Sequence, residues 1–154
     1  LGDVYKRQKI TYAEQAKPKG LPDAFVVGEK FIGKDNVSLI LGDNFFYGQS
    51  FSKKLIECSK LKNGAKVLLY KVSNPQNYGV AKINKNKKIV SIKEKPKKYF
   101  SDLAITGLYF FDNKVVRYAK ELTRKFWEFD GYPDTMTQEQ IRDLDNQAIS
   151  EGWA

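Results

Sequence analysis

The sequence contains no histidine, one cysteine and one methionine among its 154 residues. Without histidine, no mechanism that uses an imidazole as a base, nucleophile or metal ligand is available. The single cysteine, Cys58, excludes an internal disulfide, disfavours a zinc site and is typical of a reducing compartment, so we expect a cytoplasmic location. The groups left for chemistry are carboxylates, lysines, backbone amides and a hard, oxygen-preferring metal ion. Phosphoryl-type transfer suits this set, because it depends mainly on positioning and charge neutralisation.

Long hydrophobic runs are also lacking, since the apolar run at residues 37–41 is far too short to cross a bilayer. The 42% hydrophobic and 14% aromatic content suits one globular domain with a real core. A net charge of +9 permits nucleic acid, an anionic membrane or a phosphorylated small molecule as partner. The charge is spread diffusely and no known nucleic-acid motif is present, so we expect a solvated lysine-rich surface with no nucleic-acid or membrane partner.

The first half of the chain alternates strand patterns with helical patterns. Strands are predicted at residues 10–13, 37–41 and 65–72, and helices at 22–32 and 50–61. The continuous apolar run of the second strand is typical of a strand buried on both faces. A β-α-β-α-β order favours a parallel sheet with right-handed crossovers, so we expect the second and third strands to be parallel interior strands of a three-layer α/β domain.

The pattern changes in the second half. Residues 78–83 and 89–94 flank a turn of lysine and asparagine, which predicts an antiparallel β-hairpin added to the sheet. A further strand is predicted at 103–111, followed by a helix at 113–122 with its apolar face inward. The residues that this face buries are Val115, Val116 and Ala119.

Two loops stand where an open α/β sheet binds ligands. Asp43 lies just beyond the predicted strand at 37–41, and Gly42 before it permits close backbone approach. The alternative is an ordinary Asx turn or a helix-capping aspartate. The loop at residues 15–21 joins a predicted strand to a helix, where backbone amides can receive an acceptor oxygen and Gly20 lets a flat base approach. The alternative here is an ordinary βα loop.

Glu94 and Lys95 end the predicted hairpin. Pro96 biases Lys95 toward an extended conformation, and consecutive extended residues point in opposite directions. Both side chains can therefore meet one ligand only if the strand ends or bends at this point, which Pro96 favours. The alternative is a solvated strand end.

The order and spacing of these segments resemble the glucose-1-phosphate thymidylyltransferase family. The resemblance covers residues 10–122, about three-quarters of the chain. It rests on five motifs that follow in the family's order: Tyr12-Ala13-Glu14-Gln15 with Pro18, Gly20 and Leu21; Leu41-Gly42-Asp43-Asn44 with Phe46-Tyr47-Gly48; Tyr78-Gly79-Val80; Glu94-Lys95-Pro96; and Thr106-Gly107-Leu108-Tyr109-Phe110-Phe111-Asp112.

The resemblance implies a Rossmann-like nucleotidyltransferase core with a mainly parallel sheet. It also implies Mg²⁺-dependent transfer of a deoxythymidylyl group from dTTP to glucose-1-phosphate, giving dTDP-glucose and pyrophosphate. On this basis Gln15, the backbone of Gly20, and Leu21 belong to the nucleotide site. Asp43 is implied as a catalytic residue that also contacts the nucleotide and holds Mg²⁺ against its phosphates.

The resemblance also implies a sugar-phosphate site. Gly79 and Glu94 bind sugar hydroxyls, and Lys95 is a second catalytic residue that binds the sugar phosphate. Three further residues line the sugar pocket: Thr106, Gly107 and Tyr109. We expect the full-length protein to be a homo-oligomer.

Both ends of the chain depart from the family. Residues 1–9 form a leader that does not resemble it, and the Gly-rich, Arg-containing loop that grips the triphosphate in the family is not found before Ile10. Residues 123–154 form a divergent tail with a predicted helix at 137–149, in which Thr137 and Gln140 are spaced as a capping box. Gln140 stands where the family has glutamate, and the family's second metal-binding aspartate lies further downstream.

From these departures we expect a partial nucleotidyltransferase domain at residues 10–122, truncated at the N-terminus and at the C-terminus. Loss of a central strand exposes a sheet edge, so we expect the chain to be marginally stable and to have little activity alone. Two other functions stay open: a related enzyme that uses UTP or another sugar-1-phosphate, and a non-catalytic binding module. The run from Leu41 to Gly48 and the Gln15 loop favour thymidylyl transfer.

Overall fold

The computed structural model describes residues 9–16 and 19–124 in full and the backbone of residues 125–128. Its helices are α1 (Leu21–Val27), α2 (Glu29–Ile32), α3 (Phe51–Ser59) and α4 (Lys114–Glu128). Its strands are β1 (Val37–Ile40), β2 (Ala65–Lys71), β3 (Gly79–Ile83), β4 (Ile89–Glu94) and β5 (Leu103–Phe111).

Strand β5 is the centre of the sheet. It pairs with β1 and β2, which place Val37 and Ala65 opposite Phe111, and with β3, which places Val80 opposite Ala104. Strand β4 pairs with β3 and completes the five-stranded sheet. No residue of β5 is exposed. A largely apolar run is what a strand covered on both faces requires, and β5 has one.

The prediction of parallel interior strands is wrong for the pairing of this sheet. Strands β1 and β2 run in the same direction, but β5 lies between them and is antiparallel to both. All four ladders that the described residues form are antiparallel, so the expected mainly parallel, Rossmann-like sheet is not found in this part of the chain. The crossover rule assumes that successive parallel strands are neighbours, and here a strand from later in the sequence separates them. The predicted antiparallel hairpin is confirmed by β3 and β4.

Helices cover both faces of the sheet, which gives a mixed α/β fold in three layers. Phe111 packs on a cluster that joins α1, α2 and α4, whereas Phe110 packs in a second cluster with residues of α3. Adjacent strand residues point to opposite faces, so the two clusters lie on opposite sides of β5. The buried members of the first cluster are Phe25, Ile32, Val115, Val116 and Ala119. The inward face predicted for the helix after β5 is therefore confirmed.

Two strand predictions differ from the structure. Residues 10–13 form no strand, and Ile10 and Tyr12 are 72% and 94% exposed. A strand needs a partner for its backbone groups, and none of the described residues supplies one to this segment. Strand β1 is not buried on both faces either, because half-buried and exposed residues alternate along it and Ile40 is 57% exposed. A short apolar run does not by itself distinguish these two burial patterns.

The helices follow the predicted positions with shifted bounds. Gly28 divides the helix predicted at 22–32 into α1 and α2, in keeping with the poor helix propensity of glycine. Helix α3 is shorter than predicted, and α4 continues to Glu128 rather than ending at 122. The helix predicted at 137–149 lies outside the described residues.

Removal of one methylene from the first cluster tests this packing. Ile32 is 8% exposed, so we expect Ile32→Val to lower the free energy of unfolding by about 0.5–1.5 kcal/mol. The matched control is Ile40→Val on the exposed side of β1, where the same deletion should change stability by less than about 0.5 kcal/mol. Urea denaturation followed by circular dichroism measures both, and equal losses would contradict the assignment of the core.

Candidate functional site

The end of the β-hairpin carries two of the predicted sugar-site residues directly opposite each other. Gly79 and Glu94 are Cα partners in the ladder between β3 and β4. The Glu94 side chain lies over Gly79, because a Cβ at position 79 would stand 2.6 Å from Glu94 Oε2. Glycine at this position thus leaves the room that the Glu94 carboxylate occupies. The sequence brings these two residues together through hairpin register alone.

Tyr109 of β5 lies close to the same carboxylate. Burial raises the pKa of the Tyr109 hydroxyl above its ordinary value of 10.0, and the negative charge of Glu94 raises this pKa further. The hydroxyl therefore stays protonated at neutral pH and can donate a hydrogen bond. Glu94 and Tyr109 together place an acceptor and a donor near each other at the end of the hairpin.

Lys95 bends the chain at the end of β4. Its φ is +39°, in the left-handed region that residues with a side chain rarely adopt. The prediction that Pro96 holds Lys95 extended is therefore wrong. Pro96 is buried, and the Lys95 N–H still donates to the Tyr78 carbonyl at 3.0 Å. The buried proline and this hydrogen bond together hold the backbone of Lys95 in place. The strand ends with a bend here, which was the condition for Glu94 and Lys95 to meet one ligand.

The loop after β1 is fastened to β5 by Asn44. The Leu41 N–H donates to the Gly107 carbonyl at 2.9 Å, and the Gly107 N–H donates to Asn44 Oδ1 at 3.2 Å. The Asn44 N–H donates back to the Leu41 carbonyl at 3.1 Å. The side chain of Asn44 thus continues the ladder between β1 and β5 beyond the last residue of β1. The other end of its amide, Nδ2, donates to Asp43 Oδ1 at 2.8 Å.

The contacts of Leu41 and Asn44 with Gly107 form a junction between the loop after β1 and strand β5, which we call the Asn44 junction. Glycine at position 107 is essential to it. A Cβ at position 107 would overlap Nδ2 of Asn44, lie 2.7 Å from its Cγ and 3.0 Å from Cβ of Leu41. Its neighbour Thr106 uses its hydroxyl within the sheet, where Oγ1 donates to the Leu68 carbonyl at 2.8 Å. The three predicted β5 residues therefore differ in what they can offer: Tyr109 a hydroxyl donor, Thr106 mainly shape, and Gly107 space and the anchor for the Asp43 loop.

Asp43 is exposed, and it is the carboxylate that the Asn44 junction presents at the end of β1. In the described part of the chain no three histidine, cysteine, aspartate or glutamate side chains cluster closely enough to hold a metal ion. A lone carboxylate does not suit a dedicated all-protein metal site. It does suit Mg²⁺, which keeps several waters and is bound by one or two carboxylates together with phosphate oxygens.

The predicted base-reading residues lie at the start of α1. Gln15 donates from Nε2 to Oδ2 of Asp23 at 2.7 Å. Gly20 occupies the N-cap position of α1 with a φ of +81°, which glycine adopts at low cost, and Leu21 is 42% exposed. Asp23 is buried in the first turn of the same helix and holds the Gln15 side chain against it.

Asn44 and Asp23 are the two side chains that the sequence reasoning did not assign. Asn44 was visible only as part of the Leu-Gly-Asp-Asn motif, and nothing in its spacing shows that its amide bridges two strands. Asp23 has the signal of an acidic residue in the first turn of a helix, which usually indicates stabilisation of the helix dipole. Its contact with Gln15 depends on a loop conformation that the sequence does not determine.

Comparison with known proteins places the chain in a family. Residues 1–153 match the sequence profile of the nucleotidyl transferases, and the chain belongs to this family. It is also a homologue of glucose-1-phosphate thymidylyltransferases. The protein of that name from Neisseria meningitidis is 46% identical over 143 residues, 93% of this chain and 46% of the relative. The one from Mycolicibacterium smegmatis is 43% identical over 115 residues, 75% of this chain and 40% of the relative.

Solved structures agree with this assignment. A candidate glucose-1-phosphate thymidylyltransferase of Bacillus anthracis, crystallised with sucrose, is 33% identical with a TM-score of 0.69 and is matched over 99% of this chain and 61% of its own. An apo UDP-glucose pyrophosphorylase has a TM-score of 0.68 at 21% identity, which shows a shared fold. The chain spans about half the length of the curated relatives it matches. Among the described residues no helix is both long and apolar enough to cross a membrane.

A methyl group at position 107 tests the Asn44 junction. We expect Gly107→Ala to lower the free energy of unfolding by about 1–3 kcal/mol, because the added Cβ displaces Asn44 from the end of β1. Gly42→Ala is the matched control, since a Cβ at position 42 meets nothing within 4 Å. Chemical denaturation compares the two variants, and a Gly107→Ala protein as stable as the control would refute the close contact.

The raised pKa of Tyr109 predicts a specific alkaline loss of stability. Above pH 10.0 the unfolded chain releases the tyrosine proton first, so the free energy of unfolding falls as the pH rises from the ordinary value to the folded one. Below that window Tyr109 contributes no pH dependence. We expect Tyr109→Phe to flatten the decline, whereas Tyr70→Phe, at a residue 69% exposed, should leave it unchanged. Thermal unfolding measured across this pH range distinguishes the two variants. An identical pH dependence of stability in both would contradict the environment assigned to Tyr109.

Proposed function

We propose that this chain carries the sugar-phosphate site and part of the nucleotide site of a glucose-1-phosphate thymidylyltransferase. In the reaction a phosphate oxygen of glucose-1-phosphate attacks the α-phosphate of dTTP in line. The new P–O bond forms as the bond to the β-phosphate bridging oxygen breaks, giving dTDP-glucose and pyrophosphate. The observation that carries the proposal is the convergence of Gly79, Glu94 and Tyr109 beside a strand that also anchors the Asp43 loop.

The sugar side of this proposal follows from donors and acceptors. The Glu94 carboxylate, which lies over Gly79, accepts hydrogen bonds from sugar hydroxyls, and the protonated Tyr109 hydroxyl donates to a sugar oxygen. Thr106 and Gly107 shape the pocket floor through the backbone of β5. Such a set of fixed polar groups orients a hydroxyl-rich ligand in a single pose.

The proposed role of Lys95 is to bring an ammonium group to this sugar site. A lysine provides a charge-assisted hydrogen bond to a phosphate oxygen, so it orients the attacking phosphate and lowers its charge repulsion with the triphosphate. In a straight strand the side chains of Glu94 and Lys95 would point to opposite faces, and the left-handed backbone at Lys95 interrupts the strand at this point. Holding the two reactants in this geometry supplies much of the rate enhancement in phosphoryl-type transfer.

The nucleotide side rests on Asp43 and on the loop before α1. Asp43 would hold Mg²⁺ against the nucleotide phosphates, with waters and phosphate oxygens as the remaining ligands. When bound, Mg²⁺ neutralises the negative charge that accumulates on the transferring group. Gln15 and the backbone of Gly20 contact the thymine, and Leu21 contributes exposed apolar surface to the same site.

The alternative within enzymes is a relative that uses UTP or another sugar-1-phosphate, since the fold is shared with a UDP-glucose pyrophosphorylase. A thermal-shift panel of dTTP, UTP and GTP distinguishes these nucleotides. A cytoplasmic location and a homo-oligomeric full-length protein belong to the same proposal.

Replacement of Asp43 tests the proposed chemistry. The assay is pyrophosphate release from dTTP and glucose-1-phosphate by a chimera in which this chain replaces the matching 143 residues of the Neisseria meningitidis relative. We expect Asp43→Asn to lower kcat by at least about 10²-fold, because the amide preserves the shape but removes the charged ligand. The thermal stability of the chimera should not change.

Two further variants complete this test. Lys95→Ala should raise the KM for glucose-1-phosphate by about 10-fold or more with a smaller change in kcat, since it removes a charge-assisted bond to the sugar phosphate. Asp102→Asn is the charge-matched control, because Asp102 forms a surface ion pair with Lys71 at 3.1 Å and should leave turnover intact. Turnover by Asp43→Asn within threefold of the parent, about the scatter expected between preparations, would show that the metal is held elsewhere.

A further inference from the structure

Asp23 is a buried carboxylate to which the reaction described above gives no role. It lies in the first turn of α1, where it is 7% exposed. A carboxylate removed from water is costly unless it is hydrogen-bonded, and Gln15 Nε2 supplies such a bond at 2.7 Å. The contact links the core side of α1 to a loop residue eight positions earlier in the chain.

This bond fixes which end of the Gln15 amide faces Asp23. An ionised carboxylate can only accept hydrogen bonds, so the NH₂ group of Gln15 must lie toward it and the carbonyl oxygen Oε1 on the other side. The flipped amide would set oxygen against oxygen. Because the Gln15 side chain is otherwise exposed, Oε1 is the atom that it presents to a ligand.

We infer that Asp23 is a positioning residue that makes Gln15 a hydrogen-bond acceptor and thereby selects the nucleobase. The site takes a pyrimidine that carries a ring N–H, as thymine and uracil do at N3. It rejects cytosine, whose N3 is itself an acceptor. The inference rests on the proposed function, in which Gln15 reads the base, and adds to it the residue that sets the direction of the hydrogen bond.

The size of the discrimination follows from the mismatch. Cytosine would place its N3 lone pair against Oε1, so that both atoms lose water without gaining a partner. An unsatisfied polar group of this kind lowers affinity by a factor of about 10–100. Loss of the Gln15–Asp23 bond would let the amide rotate, and either base would then find a partner.

The test is the ratio of dissociation constants for dTTP and dCTP, measured by isothermal titration calorimetry in Mg²⁺ buffer with the chimera described above, which is the parent chain of this test. We expect the parent chain to bind dTTP about 10- to 100-fold more tightly than dCTP. Asp23→Asn should reduce the ratio to within threefold of unity, because an asparagine amide can either accept from Gln15 or donate to it. Asp35→Asn, the same change at an exposed position beyond α2, should retain the parent ratio.

Each outcome decides. An Asp23→Asn chain that keeps the parent ratio overturns the inference, and so does a parent chain that binds both nucleotides equally, although the latter leaves the proposed nucleotide site standing. A parent chain that binds neither nucleotide refutes the proposed nucleotide site together with this inference.

A measurement on the unaltered chain covers the case in which Asp23→Asn does not fold. In isotope-labelled protein, addition of dTTP should shift the side-chain carbonyl carbon of Gln15 and leave its Nε2 resonance nearly unmoved, since Asp23 already holds that nitrogen. A large shift of Nε2 with an unchanged carbonyl carbon would mean that the amide presents its donor, and the inference would fail.

Discussion

Strand β5 pairs with three other strands, and this pairing constrains both the core and the candidate site. Its alternate side chains enter two separate clusters, so helices are required on both faces of the sheet. Its backbone pairs with β1, which precedes the Asp43 loop, and with β3, which belongs to the hairpin that ends at Glu94. Groups that are far apart in sequence, such as Asp43 and Glu94, are therefore held by the same sheet. A shift of β5 by one residue would exchange the two clusters and separate these groups.

Local sequence signals predicted most elements, because each depends on neighbours in the chain. The hairpin, β5 and the inward face of α4 come from periodicity and turn residues that act over fewer than ten positions. The pairing of strands could not be obtained in this way. Nothing in residues 37–41 or 65–72 indicates that Leu103–Phe111 will lie between them, since that depends on burial of all three strands together.

The candidate site shows the same division. Asp43, Gly79, Glu94 and Lys95 were identified through motif order and resemblance, and hairpin register brings Gly79 and Glu94 together as a consequence of the pattern. The left-handed backbone at Lys95 was not predictable, because the residue before a proline usually avoids compact conformations. The roles of Asn44 and Asp23 arise from side-chain amides and carboxylates that meet across loops, and no periodicity encodes such contacts.

In a candidate site without histidine, the functional side chains must be oriented by fixed hydrogen bonds. Asn44 directs the Asp43 loop, burial keeps Tyr109 protonated, and Asp23 orients Gln15. The arrangement suits a transfer in which reactants are aligned and charge is neutralised, with no proton relay through the protein.

The approach of the Glu94 carboxylate to Gly79 has an evolutionary consequence. Because one side chain fills the space in front of the other residue, substitutions at the two positions cannot be independent. A side chain at position 79 requires the flexible end of Glu94 to move away from the place that it now occupies over residue 79. We therefore expect the effect of a substitution at 79 to depend on the residue at 94, which is epistasis between two neighbouring strands.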